Sequence, residues 1–195
     1  VAAGLGNDII HVYGGTDTIA AGAGTDTLIV HFEGAPGAVS INSLSGNVDI
    51  GYSGNVSGFG AATFLGVENF HISSGITNDI ITTGGGVDII NAGGGDDIID
   101  AGGGDDIIDA GGGNDTMTGG VGSDTFVFQA GFGNDKITDF DTSQTGEKIV
   151  LVGVSSITDF ADLTKNHLSQ PGSDAIITDA LGNSITLLGV DMNTL

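Results

Sequence analysis

Residues 92–109 read AGGGDDIID AGGGDDIID, one nine-residue phrase repeated without a change. Counting outward from it, Asp79, Asp88, Asp97, Asp106, Asp115 and Asp124 each fall nine residues after the last. An apolar residue stands two places after each of them, in order Ile81, Ile90, Ile99, Ile108, Met117 and Phe126. A period this strict specifies a solenoid, in which each repeat buries its apolar side chain against its neighbours.

Within residues 74–127 each repeat reads as a six-residue turn followed by a three-residue strand. Position six is aspartate and position eight is apolar. Positions two and four are mostly glycine, as in Gly84 and Gly86, Gly93 and Gly95, Gly102 and Gly104, Gly111 and Gly113, and Gly120 and Gly122. Side chains alternate along a strand, so six and eight share the face that points into the roll. Position seven, with Ile80, Ile89, Ile98 and Ile107, then faces outward. An outward apolar row suits a neighbouring domain, the C-terminal cap or a second chain; its bland reading is strand preference of β-branched residues.

The period extends beyond the block on both sides. Residues 3–29 carry Asp8, Asp17 and Asp26 in phase, with Ile10, Ile19 and Leu28 two places on, although Tyr13 takes the place of a glycine. From Val30 to Ser73 the aspartates lapse while alternating apolar residues continue (Val39, Ile41; Val48, Ile50, Tyr52; Phe64, Val67, Phe70, Ile72), which predicts short strands. Asp26 and Asp79 are 53 residues apart, close to three coils if two nonapeptides make one. The segment is therefore expected to continue the solenoid with wider, metal-free turns; a separate small β-domain is the alternative. Asp135 heads a slipped repeat (Gly131, Gly133, Asn134, Asp135, Ile137), eleven residues after Asp124.

Residues 1–136 are thus expected to form the roll and 137–195 a β-rich cap over its last coil. In the cap we expect a strand at Glu147–Val152, a helical turn at Thr158–Leu163 with Thr158 as N-cap, and a hairpin. The hairpin joins Ala175–Thr178 to Ser184–Leu188 around Gly182–Asn183.

Composition narrows the chemistry. The chain has 195 residues, 37 of them glycine, and 25 acidic residues against three lysines and no arginine, for a formal net charge of −22. Nucleic acid and anionic membranes are poor partners for such a surface. There is no cysteine, hence no disulfide or thiolate metal site. No apolar run reaches the roughly 18 residues of a membrane span, and Val1–Asn7 lacks the pattern of a signal peptide. Because Val1 begins inside a glycine-rich repeat, the chain is expected to be a piece of a longer polypeptide.

If turns alternate between the two edges of the roll, aspartates two repeats apart stack at about 4.8 Å. That pairs Asp79 with Asp97 and Asp97 with Asp115 on one edge, and Asp88 with Asp106 and Asp106 with Asp124 on the other. Asp8 with Asp26, and Asp115 with Asp135, are weaker additions. Carboxylates this close call for a cation between them, and hard oxygen donors without His or Cys select Ca²⁺. Ca²⁺ takes about 6–8 oxygens, so main-chain carbonyls must supply the rest, turned inward by glycines at positions two and four. Asp96, Asp105, Asp100 and Asp109, at positions five and nine, are read as solvated or indirect.

Residues 74–127, and more loosely 3–29, resemble the RTX (repeats-in-toxin) nonapeptide G-G-x-G-x-D-x-U-x, a calcium-binding repeat. The resemblance implies a right-handed parallel β-roll with several Ca²⁺ ions between successive turns, held by the position-six aspartates and turn carbonyls. Tyr13, and Thr77 where glycine is expected, mark the Asp17 and Asp79 turns as departures. Residues 64–73 (FLGVENFHIS) and the later run with Phe126, Phe128, Asp135, Ile137, Asp139, Phe140, Asp141 and Lys148 are similar to the RTX regions of serralysin-like exported bacterial proteins. That likeness implies export by a type I secretion apparatus under an uncleaved C-terminal signal, and an extracellular or cell-surface location.

Enzymatic motifs are missing. His11, His31, His71 and His167 are scattered, and neither H-E-x-x-H, G-x-S-x-G nor a phosphate-binding P-loop occurs. The expectation is a non-enzymatic, calcium-responsive folding module of a larger exported protein. The alternative is an adhesive or surface-layer element that uses the stiffened roll for self-association.

Overall fold

The computed structural model describes residues 1–13, 15–33, 37–47, 51–57 and 60–195, with the backbone alone for residues 15, 42–47, 51–57 and 60–64. Nonapeptide spacing becomes strand spacing directly. Strands β1 (Ala2–Leu5), β2 (Ile9–Val12), β3 (Gly15–Ala23) and β4 (Thr27–His31) open the roll. After an irregular stretch come β8 (Asn69–Ser73) and the three-residue strands β9 (Ile80–Thr82), β10 (Ile89–Asn91), β11 (Ile98–Asp100), β12 (Ile107–Asp109) and β13 (Thr116–Thr118). Then follow β14 (Thr125–Gln129) and β15 (Asn134–Ile137).

One coil consumes two repeats, because each strand pairs in parallel with the strand 18 residues on: Ile90 is level with Ile108, and Ile81 with Ile99. Two sheets result, and through the regular repeats the chain crosses between them at every turn. The apolar position-eight residues form the axis of the core, with Ile81, Ile108, Met117 and Phe126 all completely buried. Position seven faces out as the alternation requires, and Ile80 and Ile98 are each about half exposed.

The stretch from 30 to 73 follows another route. In one sheet β4 lies directly against β8, Leu28 level with Phe70, so no coil intervenes. In the other, β5 (Ser40–Asn47), β6 (Gly51–Ser57) and β7 (Gly60–Val67) form an antiparallel meander in the order β3-β7-β6-β5-β9. Only its outer strands run parallel to the roll. In place of the three coils anticipated from length, half a coil carries an inserted hairpin. Tight reversals join antiparallel strands, whereas a coil needs a crossing to the opposite sheet. Val48 and Ile50 lie outside the described residues.

The slipped repeat is absorbed without loss of register. Met117 is level with Ile137, an offset of 20, and the two extra residues are taken up before β15. Parallel pairing also continues past residue 136, since β16 (Lys148–Val152) extends one sheet from β14 and β19 (Ser184–Leu187) extends the other from β15. Only β17 (Leu168–Ser169) and β18 (Ala175–Thr178) close the end in antiparallel fashion. The Gly182 turn of the β18–β19 hairpin is tied by Asp179, whose carboxylate accepts from the Leu181 and Asn183 N–H groups. The helical turn starts one residue later than expected: Asp159, in place of Thr158, caps Phe160–Asp162 by accepting from the Asp162 N–H at 2.8 Å. Among the described residues no helix is long and apolar enough to cross a membrane.

Candidate metal centre

Each position-six aspartate sits where a glycine-rich turn enters a strand, and its side chain is turned inward by the same alternation that buries position eight. Asp88, Asp106 and Asp124 are completely buried, and Asp79, Asp97, Asp115 and Asp135 nearly so. One carboxylate oxygen always does the same job, accepting the main-chain N–H of the residue one coil earlier. Asp97 accepts from Asp79 at 2.7 Å, Asp115 from Asp97 at 2.8 Å and Asp135 from Asp115 at 2.8 Å. On the other edge Asp106 accepts from Asp88 at 2.8 Å and Asp124 from Asp106 at 3.0 Å. Asp26 accepts from Asp8 at 2.8 Å in the opening coils. All six pairs anticipated from the period are therefore brought together.

The second oxygen makes the chemistry. In Asp8, Asp26, Asp97, Asp106, Asp115, Asp124 and Asp135 it is buried with no hydrogen-bond donor on it among the described residues, and in Asp88 it is buried with only the Thr83 hydroxyl and the Gly84 N–H nearby, neither at good hydrogen-bond geometry. A buried charged oxygen without a partner is costly, so each such group either protonates or meets a cation. Burial accordingly pushes Asp97 and Asp106 up to about 8, Asp135 to about 7, and Asp88 and Asp115 to about 6. In Asp97 the neighbouring charges of Asp115, Asp79 and Asp96 raise it further.

Register shows where the stacks begin and end. On one edge the row runs Val39, Asp79, Asp97, Asp115, Asp135, Ile185, four carboxylates between two apolar residues. On the other, Phe70 lies below Asp88 and donates its N–H to it at 2.7 Å, so the earlier stack of Asp8 and Asp26 is out of line by two residues. Two carboxylates not anticipated from the period join these rows. Glu68 accepts from the Asp26 N–H at 2.6 Å, and Glu147 is level with Asp124. Burial lifts Glu147 to about 7, with the charges of Asp124, Asp139 and Asp141 adding to the effect. Both glutamates carry a readable signal, the acid–x–apolar triplet of positions six to eight, in Glu68-Asn69-Phe70 and Glu147-Lys148-Ile149.

Two aspartates stand apart. Asp17 lies inside β3, level with Ala62, and is removed from both carboxylate rows. Asp79 is placed as expected, but both its oxygens are engaged, by the Val39 and Gly75 N–H groups and the Thr77 hydroxyl. The Gly75 N–H reaches the second oxygen, and Thr77, where the repeat has glycine, adds its hydroxyl to the oxygen that already accepts from Val39.

Gly104 shows best what the glycines do. Its φ is +129°, and a Cβ there would lie 1.9 Å from the Gly86 carbonyl oxygen of the coil before. The other glycines at positions two and four from Gly93 to Gly122 share the left-handed φ, whereas Gly84 and Gly86 do not. The position-two carbonyls point along the roll axis instead of straight inward, and accept N–H groups of the next coil, as Gly84 does from Gly103 at 2.8 Å. Position five, read as solvated, builds an outer ladder: Asp96 accepts from the Asn114 N–H and Asp105 from the Ser123 N–H.

These residues fit a hard cation. The donors are all oxygen, the unpartnered oxygens are buried, and glycine leaves a carbonyl-lined cradle that a side chain would fill. Among the described residues no three acidic or histidine side chains converge at ligand distance. A cation between coils would therefore draw on two carboxylates at most and on main-chain carbonyls for the rest, which suits the numerous oxygens of Ca²⁺.

Comparison with known proteins agrees with this geometry. The family model of the RTX calcium-binding nonapeptide repeat (4 copies) matches residues 1–28, 73–108 and 92–126. A search of curated proteins finds no match. Among solved structures, the extracellular lipase LipA from Serratia marcescens superposes with a TM-score of 0.51 at 15% identity, covering 100% of this chain and 36% of that one. At that identity the likeness speaks for the fold, and the chain spans about a third of the lipase's length.

Proposed function

We propose, from the premise that this chain is a parallel β-roll carrying RTX calcium-binding nonapeptide repeats, that it is the calcium-controlled folding module of a larger exported protein. The reading rests on one observation above the others, the stacked, buried carboxylates whose second oxygens have no well-placed donor among the described residues. Asp88, Asp97, Asp106, Asp115, Asp124 and Asp135 would hold Ca²⁺ between coils, with Asp8, Asp26 and Glu68 in the opening coils and Glu147 at the last. Asp79 would contribute more weakly and Asp17 not at all. Turn carbonyls beside Gly84, Gly86, Gly93, Gly95, Gly102, Gly104, Gly111, Gly113, Gly120 and Gly122 would complete the shells. Bound Ca²⁺ supplies the positive charge that lets these carboxylates stay ionised inside the roll.

Control by calcium then follows from linkage. Where Ca²⁺ is scarce, a chain of net charge −22 resists compaction; where it is abundant, each site filled at a hundred times its Kd adds about 2.7 kcal/mol to the folded state. Such a chain can leave a cell unfolded through a type I secretion apparatus and fold outside. No catalytic role is assigned to the module. Titrating Ca²⁺ into the metal-depleted chain under circular dichroism should show a cooperative gain of β-structure. Equal structure in excess chelator would refute the reading.

A second reading draws on the half-exposed Ile80 and Ile98 of one sheet and the exposed Ile89 and Ile107 of the other. As a surface element the roll would associate through these faces. Sedimentation at saturating Ca²⁺ distinguishes the two: reversible assembly abolished by Ile80→Ser with Ile98→Ser favours association, and a monomer at all concentrations removes it.

A further inference from the structure

We infer that the outer face of the sheet formed by β2, β4 and β8 carries a second kind of metal site, a histidine site for a borderline divalent ion such as Zn²⁺ or Cu²⁺, centred on His31. In sequence the histidines are far apart, but register gathers three of the four. His11 on β2 and His71 on β8 are each level with Ile29 of β4, from opposite sides. His31, two residues beyond Ile29, is therefore flanked diagonally by both, at about the 7–8 Å that separates diagonal neighbours in a sheet.

The His11 Nδ1 and His31 Nε2 atoms are 3.1 Å apart. Their rings are within 4° of parallel with centroids at 5.4 Å, so the nitrogens meet head to head in one plane and share a hydrogen bond. Two imidazoles on one tetrahedral Zn²⁺ place their nitrogens about 3.3 Å apart. The separation already suits a shared ion; the rings need to tip, and the donating ring moves its proton to its far nitrogen.

Glu33 prepares the acceptor. Its Oε1 lies 3.5 Å from His31 Nδ1, near enough to take up an N–H there once Nε2 binds an ion, the arrangement that orients metal-binding imidazoles. Tyr13 lies parallel to His31 at 4.6 Å and fixes the plane of the ring. Because no three acidic or histidine side chains among the described residues stand at ligand distance, His71 would join by a rotamer change, with water in the remaining positions. Imidazole nitrogen prefers borderline ions, which separates this site from the all-oxygen stacks inside the roll. An ion here would tie β2 and β4 to β8 where the inserted meander interrupts the opposite sheet.

The test is isothermal titration of Zn²⁺ into the Ca²⁺-saturated chain, paired with the paramagnetic resonance spectrum of one added equivalent of Cu²⁺. We expect one Zn²⁺ bound and nitrogen splitting on the copper signal. His31→Gln should weaken Zn²⁺ at least tenfold, Glu33→Gln about tenfold, and His71→Gln measurably. All three positions face outward, and circular dichroism in Ca²⁺ checks that each variant keeps the fold. No Zn²⁺ bound, unchanged binding in the double variant His11→Gln, His31→Gln, or a copper spectrum showing oxygen ligands alone would each overturn the site.

Discussion

At the residue scale the decisive object is a carboxylate with two differently employed oxygens. Oδ1 of Asp97 accepts the Asp79 N–H while its Oδ2 is buried and unpartnered. Asp97→Asn separates these roles, since the amide oxygen keeps the hydrogen bond while the charge is lost. We expect the calcium midpoint of folding, followed by circular dichroism, to rise at least several-fold, with no loss of structure in the metal-free chain at pH 5, where the Asp97 carboxyl is protonated in the folded state. Loss of structure there would assign Asp97 to hydrogen bonding alone. Gly104→Ala tests the cradle: a left-handed φ and the Gly86 carbonyl at 1.9 Å leave no place for a methyl group. It should cost more than about 1 kcal/mol in urea unfolding at saturating Ca²⁺, and more than Gly131→Ala, whose φ is also positive but whose surroundings are open.

At the element scale, three-residue strands are too short to be stable singly, and each is held by the coils on both sides of it. Alternation divides their side chains sharply. Ile99 is 1% exposed and Ile98 is 54% exposed, one residue away. Ile99→Ala should destabilise the calcium-loaded roll by about 2–5 kcal/mol in denaturant unfolding. Ile98→Ala should stay within about 0.5 kcal/mol unless a partner covers that face. The period made this division legible, because repeat length, strand phase and turn glycines all follow from it. It did not reveal the meander, since local alternation does not distinguish a strand that crosses to the other sheet from one that reverses within its own.

For the whole molecule, pH and calcium act on the same groups. The folded-state values of Asp97 and Asp106 are raised to about 8, of Asp135 to about 7, and of Asp88 and Asp115 to about 6. An unfolded aspartate titrates near 3.9. A carboxylate whose pKa is raised on folding binds its proton better in the folded state. Its contribution is therefore fully present below pH 4 and is lost as pH rises through 6 to 8. The metal-depleted chain should gain β-structure as pH falls from 8 to 5 in metal-free buffer, and added Ca²⁺ should matter most at the alkaline end. A metal-free chain that loses structure on that descent would contradict the burial of the stacks.

Sequence alone determined the solenoid and the recurring aspartates: a strict period of nine with glycine at fixed offsets leaves a solenoid, an all-oxygen donor set with no cysteine leaves a hard cation, and the 18-residue pairing of strands then made two repeats one coil. Tertiary structure decided what depends on register between distant strands. It aligned Glu68 with Asp26 and Glu147 with Asp124, displaced Asp17 from both rows, and set Phe70 beneath Asp88. It also brought His11, His31 and His71 to one face across 60 residues of chain. The physical reason is the same in each case. Pairing between neighbouring coils is fixed by the insertion and the two-residue slip together with the packing of the core, and none of these leaves a periodic mark in the local sequence.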